Sequence, residues 1–284
     1  MTAGISSEAL APNLRETKVP PIRVVLLGLG AINSRVVDLL RSRQSNVAIV
    51  GIIARRAESL DRGPLSEAVR ILTASDLESL APDVVLEAAS RGAVREWGDA
   101  ALRAARRVVI SSASAFADDD LLRALRATAR ECGSQLVLSP GAIAGTEALS
   151  AAARLGIAEV RHRIIKPPPS WAGAAPRELL NSPGSSPVVL FAGSARAAAH
   201  SYPQNANVTV LTALAGIGLD ATVVELVSDP SATSNRHEIR VRGDFGSLDI
   251  AMENRALLTN PKSSELAALA LVRLIENEAA DLVL

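Results

Sequence analysis

Side chains that exchange a proton near neutral pH are scarce in this sequence of 284 residues. The three histidines, His162, His200 and His237, are candidate acids or bases because an imidazole titrates close to that pH. Lys166 is one of only three lysines among 30 basic residues, so it marks a position where lysine is kept in an arginine-rich chain. The single cysteine, Cys132, excludes an internal disulfide framework and a multi-cysteine metal site.

The three histidines differ in their surroundings. His237 lies in the polar stretch 228–239 at the start of a predicted strand, where a histidine either transfers protons or has a structural role. His162, inside the basic run 161–163, is predicted to lie on a strand face, and His200, after an alanine-rich helix, to be a cap or surface residue. Their wide separations do not match the spacing of histidine metal ligands, so no metal site is predicted.

Two further polar side chains follow predicted strands. Lys166 ends the strand 160–166, immediately before three prolines, where it either holds an ammonium for a substrate carboxylate or remains a solvated lysine. Ser112 follows another strand, and its hydroxyl is a candidate donor to a cofactor or substrate, although serine is common in that position. We interpret both residues as candidates for a ligand site.

A glycine-rich turn separates a buried apolar strand from an amphipathic helix. Gly28 permits the tight turn, and Gly30 lets a pyrophosphate approach the helix N-terminus, which Ala31 and Ile32 open. The pattern predicts dinucleotide binding by these four residues, although glycine in such a turn can also be only structural. Asn33 replaces the third glycine of the usual fingerprint.

The end of the second strand of this unit indicates the type of dinucleotide. NAD sites usually place an acidic residue there, whereas NADP sites place an arginine near the 2′-phosphate. Here Arg55 and Arg56 follow the strand, and the first acidic residue is Glu58. We therefore expect NAD or NADP as cofactor, with NADP accepted through Arg55 or Arg56, the alternative being two solvated arginines.

The elements around these residues repeat as strand and helix in the first half of the chain. Apolar strands about 25 residues apart alternate with helices, which is typical of a doubly wound parallel sheet. The predicted strands are 22–29, 47–54, 83–89, 107–113 and 135–140, and the helices between the later ones are 91–105 and 118–131.

The pattern changes after Pro140. Strands at 160–166, 187–192, 222–228 and 237–243 are predicted, of which the last two alternate in polarity as an antiparallel sheet would, and 171–187 is predicted to be a loop. The fold class is therefore α/β, an N-terminal Rossmann sheet followed by an α+β catalytic domain. The predicted boundaries are a disordered extension 1–20, a Rossmann domain 21–140 completed by the C-terminal helix 262–284, and the second domain 141–261.

Composition excludes several classes of partner. The 30 basic and 30 acidic residues give no net charge, so we expect neither a nucleic-acid partner nor an anionic membrane surface. No apolar run is long enough to span a bilayer, and the first twenty residues lack the apolar core of a secretory signal. The sequence predicts a cytoplasmic location.

Taken in order, several short segments resemble the L-aspartate dehydrogenase family over nearly all of the chain from residue 22 onward. They are SSASAFADD at 111–119, SPGAIAGTEAL at 139–149, IIKPPPSW at 164–171, PQNANV at 203–208, SDPSATSNRHEI at 228–239 and NPKSSELAAL at 260–269. The resemblance implies NAD(P)-dependent oxidative deamination of L-aspartate, a dicarboxylic amino acid, to oxaloacetate and ammonia through iminoaspartate. It also implies a Rossmann domain joined to an α+β catalytic domain, in a homodimer.

The resemblance also implies roles for individual residues. The catalytic histidine of the family's D-P-x(4)-N-x-H pattern falls on His237, and Asn235 of the same pattern is assigned with Lys166 to substrate binding. The nicotinamide-side positions fall on Ala142 and Asn207.

The chain departs from the family at Asn33 and at Ala144, where the family has glycine. Two alternatives stay open: a dehydrogenase or imine reductase for another small amino or oxo acid, and a catalytically weak NADP-binding sensor protein.

Overall fold

A computed structural model describes residues 20–54, 65, 67–174 and 186–283. Three of the sequence predictions lie wholly or largely outside these ranges. They are the extension 1–20 except for its last residue, the pair Arg55 and Arg56, and most of the loop 171–187.

The first sheet has six parallel strands in the order β3-β2-β1-β4-β5-β6. Its central strands are apolar and buried because helices cover both faces, which is the usual environment of a doubly wound sheet. The predicted α/β Rossmann fold is therefore confirmed. The strands are β1 (Ile22–Leu27), β2 (Val47–Ile53), β3 (Val69–Arg70), β4 (Val84–Glu87), β5 (Arg107–Ile110) and β6 (Gln135–Leu138).

Within the described residues, four α-helices lie between the strands of this sheet or directly before β6, and polar side chains begin three of them. Thr73 forms a capping box with Asp76, and Ser90 and Asp118 accept backbone N–H bonds at the starts of their helices. The sequence patterns did not predict the short α2 and β3. The helices are α1 (Ala31–Ser42), α2 (Ala74–Leu80), α3 (Arg91–Ala104) and α4 (Asp119–Cys132).

The second sheet is mixed, in the order β11-β10-β7-β9-β8. The strands β7 and β9 are parallel, so the prediction of an antiparallel sheet is wrong for this pair, whereas β10 is antiparallel to both neighbours. Parallel pairing requires a crossover, and the described part of this one contains β8 and two α-helices. The sheet consists of β7 (Ile157–Lys166), β8 (Val188–Ser194), β9 (Val223–Ser228), β10 (Asn235–Gly243) and β11 (Gly246–Asn254).

Helices of the second half lie beside this sheet or return to the first. They are α5 (Thr146–Ala152), α6 (Ala195–Ser201), α7 (Ala206–Ala215) and α8 (Glu265–Glu276), with the short strands β12 (Ala256–Leu257) and β13 (Asn260–Ser264) before α8. Helix α8 packs on α1, sharing a core with β1, and Arg43 pairs with Glu276 at 2.7 Å. No helix in the described ranges is long and apolar enough to cross a membrane.

One apolar core is continuous between the two sheets. It includes Val85 of β4, Phe116 of the short helix Ala113–Ala117, Val210 of α7 and Leu226 of β9. The carboxyl ends of the parallel strands are therefore held against the second half of the chain, which is where α/β folds bind their ligands.

The turn between β1 and α1 is packed closely. Gly28 has φ +94°, and a Cβ built there would lie 2.6 Å from the Cβ of Ala89. Asn33 is fully buried, and its amide donates to the carbonyl oxygens of Gly28, at 2.8 Å, and Leu27, at 3.3 Å. The asparagine thus ties α1 to the end of β1, where the usual fingerprint has a third glycine.

Alanine substitutions at the two glycines of this turn should separate folding from ligand approach. We expect Gly28→Ala to lower the free energy of unfolding by about 2–4 kcal/mol, because it combines a left-handed backbone with overpacking. Gly30→Ala should leave stability within about 0.5 kcal/mol of wild type, because no described atom lies within 4 Å of its added methyl. Denaturant unfolding of both variants measures the difference, and equal destabilisation would contradict this account of the turn.

Candidate active site

A cleft lies between the ends of the parallel strands and one face of the second sheet. Its wall contains the starts of α1 and α8, the loop after β6, and residues of β7, β10 and α7. The predicted site residues that line it are Ile32, Ala142, Lys166, Asn207, Asn235 and His237.

His237 lies in the middle of three paired strands. It is opposite Ile164 of β7 and Met252 of β11, and it is 5% exposed. Because side chains two residues apart on a strand share a face, His162 is the diagonal neighbour of His237 on the same face as Ile164. His162 is fully buried, and its Nε2 lies 3.1 Å from Nδ1 of His237.

A threonine of α7 contacts His162 on the side away from His237. The hydroxyl of Thr212 in α7 lies 3.0 Å from Nδ1 of His162 and donates to the carbonyl oxygen of Val208 at 2.9 Å. Two imidazoles, a hydroxyl and a backbone carbonyl therefore form one buried chain of polar contacts that ends at the cleft.

Both imidazoles are neutral at physiological pH. Burial lowers the pKa of His162 to about 3. Burial also lowers the pKa of His237 well below 6.5, and His162 and the nearby Lys166 ammonium lower it further. His237 therefore faces the cleft as an uncharged group that is able to accept a proton.

Lys166 ends β7 with its side chain in the same cleft. Its ammonium donates to Oδ1 of Asn205 and lies 5.3 Å from the ring centroid of Trp171. Burial lowers the pKa of Lys166 to about 8, so the group is mostly charged at neutral pH. Of the two readings left open by the sequence, the solvated strand-end lysine does not match these contacts.

The loop that follows β9 places Asn235 and His237. The backbone N–H of Asp229 donates to the carbonyl of Lys166 at 2.9 Å, and the Asp229 carboxylate accepts from the N–H and hydroxyl of Ser231. Asn235 then begins β10 and lines the cleft. The aspartate of the D-P-x(4)-N-x-H pattern thus organises the turn, and the asparagine and histidine face the cleft.

The loop after β6 carries Ala142 into the cleft wall. The buried amide of Asn254 donates to the carbonyl oxygen of Ala142 at 2.8 Å and holds the loop against β11. Gly145, at φ +74°, has no room for a Cβ because the side chain of Ile250 occupies that space. Ala144, the departure from the family glycine, is exposed and does not line the cleft, so its methyl leaves the wall unchanged.

Asn207 and Ser112 have different surroundings. Asn207 lines the cleft, and its Oδ1 accepts from the backbone N–H of Ser114 at 3.1 Å. The hydroxyl of Ser112 instead donates to the buried carboxylate of Glu87 at 2.7 Å, while Ser111 lines the cleft. Burial raises the pKa of Glu87. The backbone N–H groups of Ser112, Ala89 and Ser90 donate to its carboxylate and offset part of this rise.

A second, open cleft adjoins the glycine-rich turn. Gly28 and Gly30 line it together with Arg70, Leu72 and Trp97. Ala31 begins α1 between this cleft and Ile32, which lines the first one. Of the predicted dinucleotide residues, Gly28 and Gly30 therefore line this cleft, and Ile32, Ala142 and Asn207 line the first one.

Sequence reasoning did not select His162, Asn205 and Asn254 as site residues. For His162 a signal was present: in a strand, the run Arg161-His162-Arg163 points the histidine away from both arginines and towards the core. Asn205 and Asn254 carried no comparable signal, because their partners are distant in sequence. Among the described residues, no cluster of three histidine, cysteine or acidic side chains suits a metal ion.

Two family models match the chain. Residues 28–139 match the homoserine dehydrogenase NAD-binding domain, and residues 147–278 match the C-terminal domain of aspartate dehydrogenase. The structure of aspartate dehydrogenase from Thermotoga maritima superposes with a TM-score of 0.74 at 24% identity, covering 93% of this chain and 99% of that one, which supports the fold.

Curated relatives match over nearly their full length. The L-aspartate dehydrogenase of Brucella anthropi is 49% identical over 263 residues, which are 92% of this chain and 98% of that protein. The L-aspartate dehydrogenase of Cupriavidus taiwanensis is 36% identical over 260 residues, which are 91% of this chain and 98% of that protein. The chain belongs to the L-aspartate dehydrogenase family.

Proposed function

We propose that the protein catalyses the NAD(P)-dependent oxidative deamination of L-aspartate to oxaloacetate and ammonia through iminoaspartate, with His237 as the acid/base. The observation that carries this proposal is the presence, in one cleft, of a neutral buried imidazole and a partly buried ammonium. The names of the relatives support the choice of L-aspartate as substrate.

The glycine-rich turn fits a dinucleotide. The first turn of α1 receives no side-chain cap from the described residues, and the space beside Gly30 is open. Free N–H groups at a helix N-terminus bind phosphate oxygens well, so this turn would hold the pyrophosphate. Ala142 and Asn207 would lie at the nicotinamide end. A bound nicotinamide would supply the hydride acceptor for oxidation at the substrate Cα.

The side chains of the cleft suit the remaining steps. Oxidation of the amine requires removal of a proton from the substrate nitrogen, and hydrolysis of the imine requires removal of a proton from water. His237 is able to perform both transfers because it is neutral before each one. The two carboxylates of a bound aspartate raise the pKa of the imidazole by their negative charge, which makes it a better base in the complex than in the free protein.

Lys166 is the group we assign to a substrate carboxylate. A fixed, partly desolvated ammonium binds an anion more strongly than a solvated one, because less water has to be displaced. Asn205 orients this ammonium, and Asn235 adds an amide at the same wall. A substrate with one carboxylate would leave part of this polar wall without a partner.

For the cofactor we propose that both NAD and NADP are accepted, with Arg55 or Arg56 contacting a 2′-phosphate. The predicted homodimer and cytoplasmic location stay predictions. Of the alternatives, a sensor protein has no need of His237, Asn235 and Lys166 in one cleft. A related dehydrogenase or imine reductase for another small acid shares these groups, and only activity distinguishes it.

The purified protein should reduce NADP⁺ or NAD⁺ with L-aspartate at alkaline pH, where proton release favours oxidation. It should also oxidise the reduced cofactor with oxaloacetate and ammonia. Absorbance of the reduced cofactor follows both directions, with L-glutamate and L-alanine as alternative substrates. Turnover with either of these in place of L-aspartate favours the related enzyme, and cofactor binding without any turnover favours the sensor.

Replacing His237 with alanine should lower kcat about 10²- to 10⁴-fold, because proton transfer loses its base. The dissociation constant of the cofactor should stay unchanged, since the glycine-rich turn is untouched. His200→Ala is the matched control, because His200 is exposed at the end of α6. Turnover of His237→Ala within a few-fold of wild type would show that another group is the base.

The pH profile of kcat/KM for L-aspartate should decline above about pH 8, the value to which burial lowers the pKa of Lys166. Loss of the proton removes the charge that binds the carboxylate, so affinity is present below this pKa and lost above it. Lys166→Met should remove this decline and raise KM about 10- to 100-fold. A variant with wild-type KM would exclude Lys166 from carboxylate binding.

A further inference from the structure

The buried histidine behind His237 has no role in the function proposed above. His162 is enclosed by apolar neighbours, makes no ion pair within the described residues, and contacts two polar partners, one through each ring nitrogen. A neutral imidazole has one N–H and one free nitrogen, so its two contacts must have opposite donor roles. Those roles follow from the partners.

Thr212 determines which group donates and which accepts in this series of hydrogen bonds. Its hydroxyl lies 2.9 Å from the carbonyl oxygen of Val208 and 3.0 Å from Nδ1 of His162. A carbonyl only accepts, so both contacts are hydrogen bonds only when the hydroxyl donates to Val208 and accepts from Nδ1–H of His162. His162 then carries its proton on Nδ1 and leaves Nε2 as an acceptor.

The proton position on His237 follows from that on His162. The Nε2 acceptor of His162, 3.1 Å from Nδ1 of His237, requires that His237 carry its proton on Nδ1. Nε2 of His237 is then the nitrogen without a proton, and it is the one left for the cleft that His237 lines.

We propose that His162 is a positioning residue which, held by Thr212, fixes His237 in the Nδ1-protonated tautomer and so presents Nε2 to the cleft as a base. This inference rests on the proposed function, because it assigns a purpose to the orientation of its acid/base. When Nε2 takes a proton from the substrate nitrogen or from water, an N–H bond forms on His237, and an N–H bond of the substrate or an O–H bond of the water breaks. The Nδ1 proton stays on His237, because a charged His162 would be fully buried.

The arrangement differs from a histidine oriented by a carboxylate. The titratable groups that reach His237 are His162 and Lys166 of β7, while α7 contributes the uncharged Thr212 and β11 presents Met252 opposite it. An acidic partner would stabilise the imidazolium and raise its pKa, whereas a neutral imidazole orients the ring without holding the proton there. The pKa of His237 therefore falls again when the anionic substrate or product dissociates, and the imidazole then releases its proton.

Thr212 offers a nearly isosteric test. Thr212→Val removes the acceptor for Nδ1–H of His162, so His162 should move its proton to Nε2 and donate to His237. His237 would then present an N–H to the cleft, and kcat should fall about 10- to 100-fold with KM and cofactor affinity little changed. Thr212→Ser keeps the hydroxyl and should stay within about threefold of wild type.

We expect the free energies of unfolding of the two variants to follow the opposite order to their kcat values. This difference separates a positioning role of Thr212 from a packing role. Thr212 is fully buried, so Thr212→Ser deletes a methyl and should be the less stable variant, although it is the more active. If kcat follows stability, so that Thr212→Val is the more active of the two, Thr212 and His162 only fill space and the proposal is overturned.

The tautomers are measurable without substrate. The chain has three histidines, so a long-range proton–nitrogen NMR spectrum of the imidazoles contains three spin systems, assigned with His200→Gln and His237→Gln. Wild type should show His162 and His237 protonated on Nδ1, and Thr212→Val should shift both towards Nε2. A wild-type His237 protonated on Nε2 would overturn the proposal. Absence of turnover with L-aspartate would instead defeat the proposed function and leave this measurement valid.

Discussion

The apolar core that runs from the parallel sheet to the second sheet is the constraint on which the cleft depends. Phe116 and the helices α6 and α7 fill the space between the two sheets, so the strand ends of the first lie at a fixed distance from the face of the second. The N-terminus of α8 adds a further wall, because this helix is packed on α1 by a core of its own. The cleft is therefore built from segments that are far apart in the chain. Its shape depends on the packing of the apolar core that holds these segments together.

Burial then determines the chemistry of the polar groups at this boundary. A polar side chain removed from water needs partners inside the protein, and Glu87, His162 and Lys166 each have them. The same burial disfavours charge, which lowers the pKa values of both imidazoles and of the lysine. The result is a neutral imidazole, His237, beside an ammonium with a lowered pKa, Lys166. This arrangement suits an anionic substrate, whose negative charge favours the protonated form of both groups.

The two departures from the family glycines have different consequences. Asn33 substitutes hydrogen bonds for close backbone packing, since its amide reaches two carbonyl groups at the end of β1. Ala144 points to solvent, and its backbone N–H contacts the sulfur of Met252 at 2.8 Å. Neither Asn33 nor Ala144 lines the cleft, so both departures leave its wall unchanged.

The sequence alone determined the elements with strong local periodicity and the motifs that are contiguous in the chain. Five of the six strands of the first sheet, the glycine-rich turn and the segments around Lys166, Ala142, Asn207 and His237 were predicted, because hydrophobic pattern and short spacing are local properties. Short or two-faced elements such as β3, α2 and β11 were not, since pairing partners decide them. Only the tertiary structure brought His162 behind His237, Asn205 to Lys166 and Asn254 to Ala142. Those contacts join residues 39 to 112 positions apart, and they form because a polar group removed from water needs a partner, which here the fold brings from a distant part of the chain.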